Sequence, residues 1–412
     1  MSKTQKVIFL IDMDAFFASA SKLQHPELRN KAVVVAHDHP KSIISAADYQ
    51  ARAYGVKAAM PLNKAKQLCK DLVVLNPDFE LYQTISAQIW NVIKTQFTSM
   101  VEVVSIDEAY VDVSNIWKKY GTVRKLALKI QNAIKQQIGL TCSIGVSYNK
   151  FLAKMGSDMD KPNGVTIIKK EEIPNKIWNL NINKMYGVGI ATEEILKDLF
   201  HVVKIGDLTK INPSELEHKL GKHGLILVNH ALGYGNDEID LSRNISKSIS
   251  NERTLVQPIS NLEEIEIVIH SLTKTIVEKM QTERLQAKTM GIILRYHWNN
   301  PERSTFDKRK HLKHKRKQTT LIEPTINFET IFSNILECLN DLYEVGKRVS
   351  LIGVFVANLK PFQNYSQLNL DDLDKEFHPL HHPKVDELIE DINFKLKKNK
   401  LFYATELKKI KD

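Results

Sequence analysis

An α+β fold in more than one domain is predicted by three features of the sequence. Up to Val165 the apolar pattern runs strand, helix, strand, with an antiparallel hairpin at Val101–Ser114, the order of a sheet covered by helices. From about Lys169 the pattern changes to short helices. Beyond Ser250 strands and amphipathic helices follow as β-α-β-β-α-β, a second α+β domain.

The chain of 412 residues is long enough for two to four domains, each with a core of its own. With 43% hydrophobic and 26% charged residues it reads as a soluble globular protein. A formal charge of +10 favours an anionic partner, nucleic acid or a membrane surface. Cys69, Cys142 and Cys338 stand far apart, so neither a zinc site nor a disulfide framework is indicated, and reduced thiols in a cytoplasmic protein are expected. Lys3 and Lys6 ahead of Val7–Ile11 imitate a signal peptide, but the apolar run is short and Asp12 and Asp14 interrupt it. No stretch approaches the length of a membrane span.

Taken in order, Val7 to Ile11 is unbroken aliphatic and aromatic, as expected of a strand buried on both faces. Asp12 and Asp14 follow, two apart and so on one side of an extended chain. A helix from Phe16 stops before Pro26, and Ala32–Ala36 is a buried strand. Ser42–Leu62 begins extended and becomes helical near Asp48, ending at Gly55, which makes Tyr49 and Arg52 neighbours on one helix surface. Helices around Leu62–Cys69 and Glu80–Phe97 precede the hairpin, whose strands carry Asp107 and Glu108. Thr122–Ile138 is amphipathic, with Val123, Leu126, Ala127, Ile130, Ala133 and Ile134 on one side. A strand from Thr141 turns at Tyr148-Asn149 into a helix whose Lys150 and Lys154 share a face, and Asp158–Gly164 is a turn with Lys161 at its centre.

Further on, Gly187-Val188-Gly189 opens a helix, as in a helix-hairpin-helix whose backbone N–H groups meet a DNA phosphate. Asp240–Ser250 is a polar linker. Strands are expected at Ser250–Pro258, Lys288–Trp298, Gln318–Thr325 and Lys347–Leu359, with helices at Leu262–Gln281 and Phe328–Tyr343. Between the second and third strands lies a basic run, Lys308–Lys317, read as a loop and a phosphate-binding arm. A polar tail follows, with an amphipathic helix at Val385–Leu396.

Acids in buried strands are costly unless their charge is compensated. Three or four acids among Asp12, Asp14, Asp107 and Glu108 on two such strands therefore call for a cation, and hard oxygen ligands suit Mg²⁺.

Five stretches carry a resemblance: FLIDMDAFFASA, SAADYQARAYGVKAAMP, SIDEAYVDVS, SIGVSYNKFLAKMGSDMDKPNG and KSISNERTL, in that order. They are similar to the Y-family translesion DNA polymerases, nearest the bacterial DNA polymerase IV (DinB) branch. The resemblance implies a right-hand-like polymerase. The palm would be residues 1–17 and 79–168, the fingers 18–78, the thumb 169–239, the linker 240–249 and a little finger 250–361, ahead of a tail at 362–412. It also implies a nucleotidyltransferase that adds dNTPs to primer-template DNA with low fidelity and no proofreading. Two Mg²⁺ ions about 3.5–4 Å apart would be held by Asp12, Asp107, Glu108 and the backbone carbonyl of Met13. Phe16, Phe17, Tyr49, Arg52 and Lys161 match nucleotide contacts, with Phe17 as the steric gate against a ribose 2′-hydroxyl. Asp14 is expected to be structural, since the family does not use it as a ligand. DNA contacts are expected at Gly187, Gly189, Lys308, Arg309, Lys310, Lys315 and Arg316. Gln367–Leu370 resembles a sliding-clamp peptide, although Asp371 and Asp372 stand where a bulky apolar residue normally does. A cytoplasmic monomer is expected.

Two other readings share features of the sequence. A two-metal nuclease or nucleotidyl cyclase would use the same acids, but needs neither a steric gate nor Tyr49, Arg52 and Lys161 set for a triphosphate. A non-catalytic DNA-binding module at the clamp would have no use for Asp12, Asp107 and Glu108.

Overall fold

The computed structural model describes residues 6–39, 42–241, 246–297 and 314–362. The chain divides into two compact units, Met1–Lys247 and Ser248–Asp412.

The first unit opens with β1 (Ile8–Met13), every residue of which is buried. It is followed by α1 (Phe16–Gln24), β2 (Val33–Val35), β3 (Ala46–Ala47), α2 (Tyr49–Ala53), α3 (Leu62–Leu68), β4 (Val73–Leu75) and α4 (Phe79–Gln96). Then come β5 (Val101–Val103), β6 (Glu108–Asp112), α5 (Val123–Ile138), β7 (Cys142–Ser147), α6 (Lys150–Ser157) and β8 (Val165–Ile167). Thr122 caps α5 by accepting from Lys125 N–H, and Gly139 ends it in the left-handed region, as the sequence pattern requires.

Five of these strands form a sheet in the order β5-β6-β1-β7-β8. Strand alternation sorts the side chains of β1 between two cores. Phe9, Ile11 and Met13 pack with Tyr82, Ile89 and Trp90 of α4 and with Leu126 and Ile130 of α5. Ile8 and Leu10 point the other way, to Tyr110 of β6 and Ala153 of α6. Burying both faces of β1 is what makes its sequence continuously apolar. A separate sheet, β3-β2-β4, packs its own small core with α2 and α3, including Val34, Ile44, Ala51, Leu62 and Ala65.

After β8 the chain is helical: α7 (Ile173–Lys176), α8 (Ile190–Phe200), α9 (Pro213–Leu220) and α10 (Lys222–Ala231). Their core takes in Phe151, Leu152 and Met155 of α6, so α6 is buried between this cluster and the sheet. The chain then returns to the sheet as a strap. Tyr148 Oη and Asn149 Nδ2 both donate to the Gly233 carbonyl at 2.8 Å, and Lys150 N–H donates to the Asn236 carbonyl at 2.9 Å. Ile239 packs on Ile8 and Leu10. Asp240 N–H donates at 2.7 Å to the carboxylate of buried Glu102, which is also ion-paired to Lys150.

The second unit is β9 (Ser248–Ile259), α11 (Leu262–Thr282), β10 (Leu285–Tyr296), β11 (His314–Thr325), α12 (Phe328–Leu342) and β12 (Val349–Pro361). Its sheet runs β11-β10-β12-β9, all pairs antiparallel. Ile265, Ile269, Leu272 and Ile276 of α11 and Ile331, Ile335 and Leu339 of α12 share a core with Met290, Ile292, Val354 and Val356.

Two boundaries correct the sequence reading, and the smaller is at β9, which opens at Ser248 inside the stretch Asp240–Ser250 read as a linker. β11 begins at His314, not Gln318, so Lys315, Arg316 and Lys317 belong to a strand rather than a loop. They pair with Leu294, Ile293 and Ile292 of β10. Such a run is stable there because β11 is an edge strand whose side chains here are exposed, and charge on an edge blocks further pairing. Lys308, Arg309, Lys310, the peptide Gln367–Leu370 and the helix expected at Val385–Leu396 lie outside the described residues.

Candidate active site

The site forms where β1 and β6 end side by side. The antiparallel register sets Asp12 directly opposite Glu108. Past Met13, whose N–H donates to the Asp107 carbonyl at 3.0 Å, the chain turns through Ala15 in the left-handed region and enters α1. That conformation is sparsely populated outside glycine and holds only where its surroundings enforce it. Asp14 supplies much of the enforcement. It is buried, accepts from Ser143 Oγ at 2.7 Å and from Asn163 N–H at 2.8 Å, and so ties the Lys161 turn to β1. Both of its carboxylate oxygens are thus engaged within the fold.

Two ammonium groups meet the acids. Lys154 Nζ lies 3.0 Å from Asp12 Oδ2 and 2.7 Å from Glu108 Oε1. Lys161 Nζ lies 2.7 Å from Asp12 Oδ1 and 2.9 Å from Asp158 Oδ1. Burial alone would push the Asp12 carboxyl up, but Lys154 and Lys161 outweigh it and hold it below the usual carboxylate range. Glu108 goes the other way: burial, reinforced by Asp12 beside it, raises it to about 7 against the pull of Lys154. Asp107 sits at the rim, half-buried, and accepts from Ser105 Oγ at 2.6 Å.

These groups line a cleft of about 450 Å³ together with Met13, Phe16, Phe17, Tyr49, Arg52, Lys154 and Lys161. Asp48 caps α2 by accepting from Ala51 N–H, which fixes Tyr49 and Arg52 at the cleft. The Arg52 guanidinium lies 4.7 Å from the Tyr49 ring centroid, and its Nε donates to the Ala47 carbonyl at 2.9 Å. The Tyr49 hydroxyl is buried with no hydrogen-bond partner among the described residues. A buried polar group without a partner is costly, so this one is left available to an acceptor entering the cleft. Phe16 is 3% exposed and anchors α1 in the core, leaving Phe17, half-buried, at the cleft wall.

The cleft therefore gathers Asp12, Met13, Phe16, Phe17, Tyr49, Arg52, Asp107, Glu108 and Lys161 from four separate parts of the sequence. Gly187 and Gly189 lie elsewhere, in the helical cluster. Gly187 is left-handed, at φ 94°, and Gly189 precedes α8 without a side-chain cap. The helix before the turn is a single 3₁₀ turn, Ile182–Lys184, since asparagines at 179, 181 and 183 favour turns over a longer helix. Sequence reasoning gave no role to Lys154 or to Tyr82, the ring against which Phe17 rests. The available signal was a lysine at an otherwise apolar helical position.

Residues 11–158 match the impB/mucB/samB family, and residues 246–370 match the impB/mucB/samB family C-terminal domain. The chain is 36% identical over 314 residues to a Bacillus anthracis protein named DNA polymerase IV, covering 76% of this chain and 74% of that one. It is 34% identical to DNA polymerase IV of Ureaplasma parvum over 87% of this chain and 96% of the relative. With a Clostridium perfringens DNA polymerase IV the identity is 33%, over 90% of this chain and all of the relative. The chain belongs to the Y family of DNA polymerases, in the DNA polymerase IV branch. A solved Y-family DNA polymerase chimera is similar at a TM-score of 0.73 and 25% identity, covering 86% of this chain and 99% of the chimera.

Y-family membership implies a divalent metal cofactor. Among the described residues no three acidic, histidine or cysteine side chains converge as a finished metal cage. The donor set nonetheless fits a hard cation: Asp12 and Glu108 face each other, Asp107 lines the same cleft, and lysine ammonium groups already stand against the first two. No helix among the described residues is long and apolar enough to cross a membrane.

Proposed function

We propose that this cleft is where the translesion-type DNA polymerase joins a dNTP to a primer 3′-end. The 3′-hydroxyl oxygen would attack the α-phosphate and pyrophosphate would leave. Asp12, Asp107, Glu108 and the Met13 carbonyl would hold two Mg²⁺ ions, which when bound ease ionisation of the 3′-hydroxyl and neutralise the leaving pyrophosphate. Tyr49, Arg52 and Lys161 would bind the triphosphate: the orphaned Tyr49 hydroxyl and the guanidinium each donate to phosphate oxygens, and Lys161 adds charge. Phe17 would occupy the space that a 2′-hydroxyl needs.

In this reading residues 1–17 and 79–168 are the palm, 18–78 the fingers, 169–239 the thumb and 250–361 the little finger. Gly187 and Gly189 would present α8 to a phosphate, and Lys315 and Arg316 would grip the DNA backbone from β11, with Lys308, Arg309 and Lys310 adding to that grip. Gln367–Leu370 would reach a sliding clamp, and the protein would act as a cytoplasmic monomer.

The observation carrying the site assignment is the convergence of Asp12, Asp107 and Glu108 with Tyr49, Arg52 and Lys161 on one cleft, where Lys161 is ion-paired to Asp12 at 2.7 Å. The test is extension of a primed template with single dNTPs and Mg²⁺, with and without an abasic site. Asp107→Ala is expected to abolish extension and leave DNA binding intact. Extension by that variant at near wild-type rate would remove the acids from the chemistry.

A further inference from the structure

The cleft holds one cation that the roles above leave unused. Lys154 is buried, its side chain 10% exposed, with Nζ within 3.0 Å of Asp12, 2.7 Å of Glu108 and 3.6 Å of Asp158. Its neighbours on α6, Phe151, Leu152 and Met155, belong to an apolar core, so this is no solvated face. The backbone fixes its height above the acids. A Cβ on Gly145 of β7 would stand 1.9 Å from the Ala153 carbonyl oxygen and 2.3 Å from Ser157 N, so α6 is seated directly on the sheet beside β1.

Lys161 is placed differently. It is 22% exposed, sits on a turn and touches Asp12 and Asp158 but not Glu108. Among the described residues only Lys154 bridges the two carboxylates that face each other across β1 and β6. Without a cation between them, buried Asp12 and half-buried Glu108 repel in a site that has already lost part of its hydration.

We infer that Lys154 is a resident counter-ion that holds Asp12 and Glu108 in place before a divalent ion arrives and competes with that ion for the same oxygens. This rests on the proposed metal role of Asp12 and Glu108. Lys154 is thus a positioning residue, and its removal has two effects of opposite sign. The metal-free protein loses stability, because the facing carboxylates have lost their bridge. The divalent ion gains affinity, because a competing positive charge is gone. A lysine that served only to support the fold would weaken both.

The experiment titrates Mn²⁺, an oxygen-seeking paramagnetic ion, into the full chain without DNA or nucleotide and follows free Mn²⁺ by electron paramagnetic resonance. Lys154→Met is expected to bind about tenfold more tightly than wild type, the order expected for deleting one nearby charge in a partly screened site. Its metal-free thermal midpoint should fall and be recovered by Mn²⁺, while Lys154→Arg stays near wild type in both. Unchanged or weaker Mn²⁺ binding by folded Lys154→Met overturns the inference. A measurement on wild type covers the case in which that variant fails to fold. Mn²⁺ should speed acetylation of Lys154 several-fold, read by mass spectrometry, and an unchanged rate overturns the inference equally. Asp12→Asn separates the two claims: if it leaves Mn²⁺ binding unaltered, the metal site itself is misassigned, whereas lost binding there with no gain in Lys154→Met sinks only the role of Lys154.

Discussion

Phe17 lies face to face with Tyr82, ring centroids 4.3 Å apart and planes within 12° of parallel. Phe79 meets Phe17 edge-on at 6.0 Å, and the Tyr82 hydroxyl is tied to Ser21 Oγ at 2.8 Å. A ring held on two sides cannot swing away from a crowded substrate. Phe17→Ala is accordingly expected to raise ribonucleotide incorporation relative to deoxyribonucleotide by at least about tenfold. Tyr82→Leu, which removes a stack contributing about 0.5–1.5 kcal/mol, should give a smaller rise. Competing rNTP and dNTP extension measures both, and unchanged sugar discrimination in Phe17→Ala removes it from this role.

Gly145 tests the seating of α6. An added methyl group there meets backbone rather than a flexible side chain, so the helix must lift. Gly145→Ala is expected to lower stability by about 1–3 kcal/mol and to reduce primer extension by moving Lys154 off the acids. Urea unfolding together with extension rates would show it. Full activity in a destabilised protein would separate helix seating from the chemistry.

Arg316 should dominate DNA grip among the described basic residues of β11. Lys315 is already ion-paired with Glu344, and Lys317 with Asp341 at 2.9 Å, so each must give up a partner to reach a phosphate. The Arg316 guanidinium instead rests 3.9 Å from the Phe355 ring centroid and donates at 3.4 Å to the neutral Gln318 Oε1, so it gives up no ion pair. Arg316→Gln is expected to reduce the slope of log affinity against log salt by about 0.9, the value for one lost contact. A slope unaffected by this change, measured by fluorescence anisotropy, would mean that β11 does not meet the backbone.

His230 gives the helical cluster a pH dependence. Its ring stacks on Phe151 at 4.1 Å, and burial, with His223 nearby, lowers its pKa from 6.5 to about 4. The folded state therefore binds this proton less readily than the unfolded chain. The stability it contributes is complete above pH 6.5 and is lost as pH falls toward about 4. His230→Gln should show a shallower decline of thermal midpoint across that window. An identical decline would place the acid sensitivity elsewhere.

Much of this was legible in the residues because the determinants are local. The apolar run of β1, the amphipathic spacing of α5 and the caps at Thr122 and Asn149 each write one element into a few adjacent positions. The placement of Lys154 is not of that kind. It lies 142 residues from Asp12 and 46 from Glu108, and its neighbourhood exists only once β7 lies beside β1. The start of β11 was obscured for a related reason: a basic run reads as solvated chain, and only its partner β10 supplies the ladder that extends it to His314. The Phe17–Tyr82 stack likewise depends on α4 crossing α1, which neither segment announces alone.

The strap from Gly233 to Asp240 has a mechanical consequence. The chain leaves the five-stranded sheet at β8, travels through the helical cluster and is fastened again to that sheet, by Glu102 and Ile239, before it enters the second unit. Tension arriving along the connection from Ser248 is thus borne by the sheet that carries the acids. The helices of residues 173–231 lie off that load path, held to the sheet through the core they share with α6.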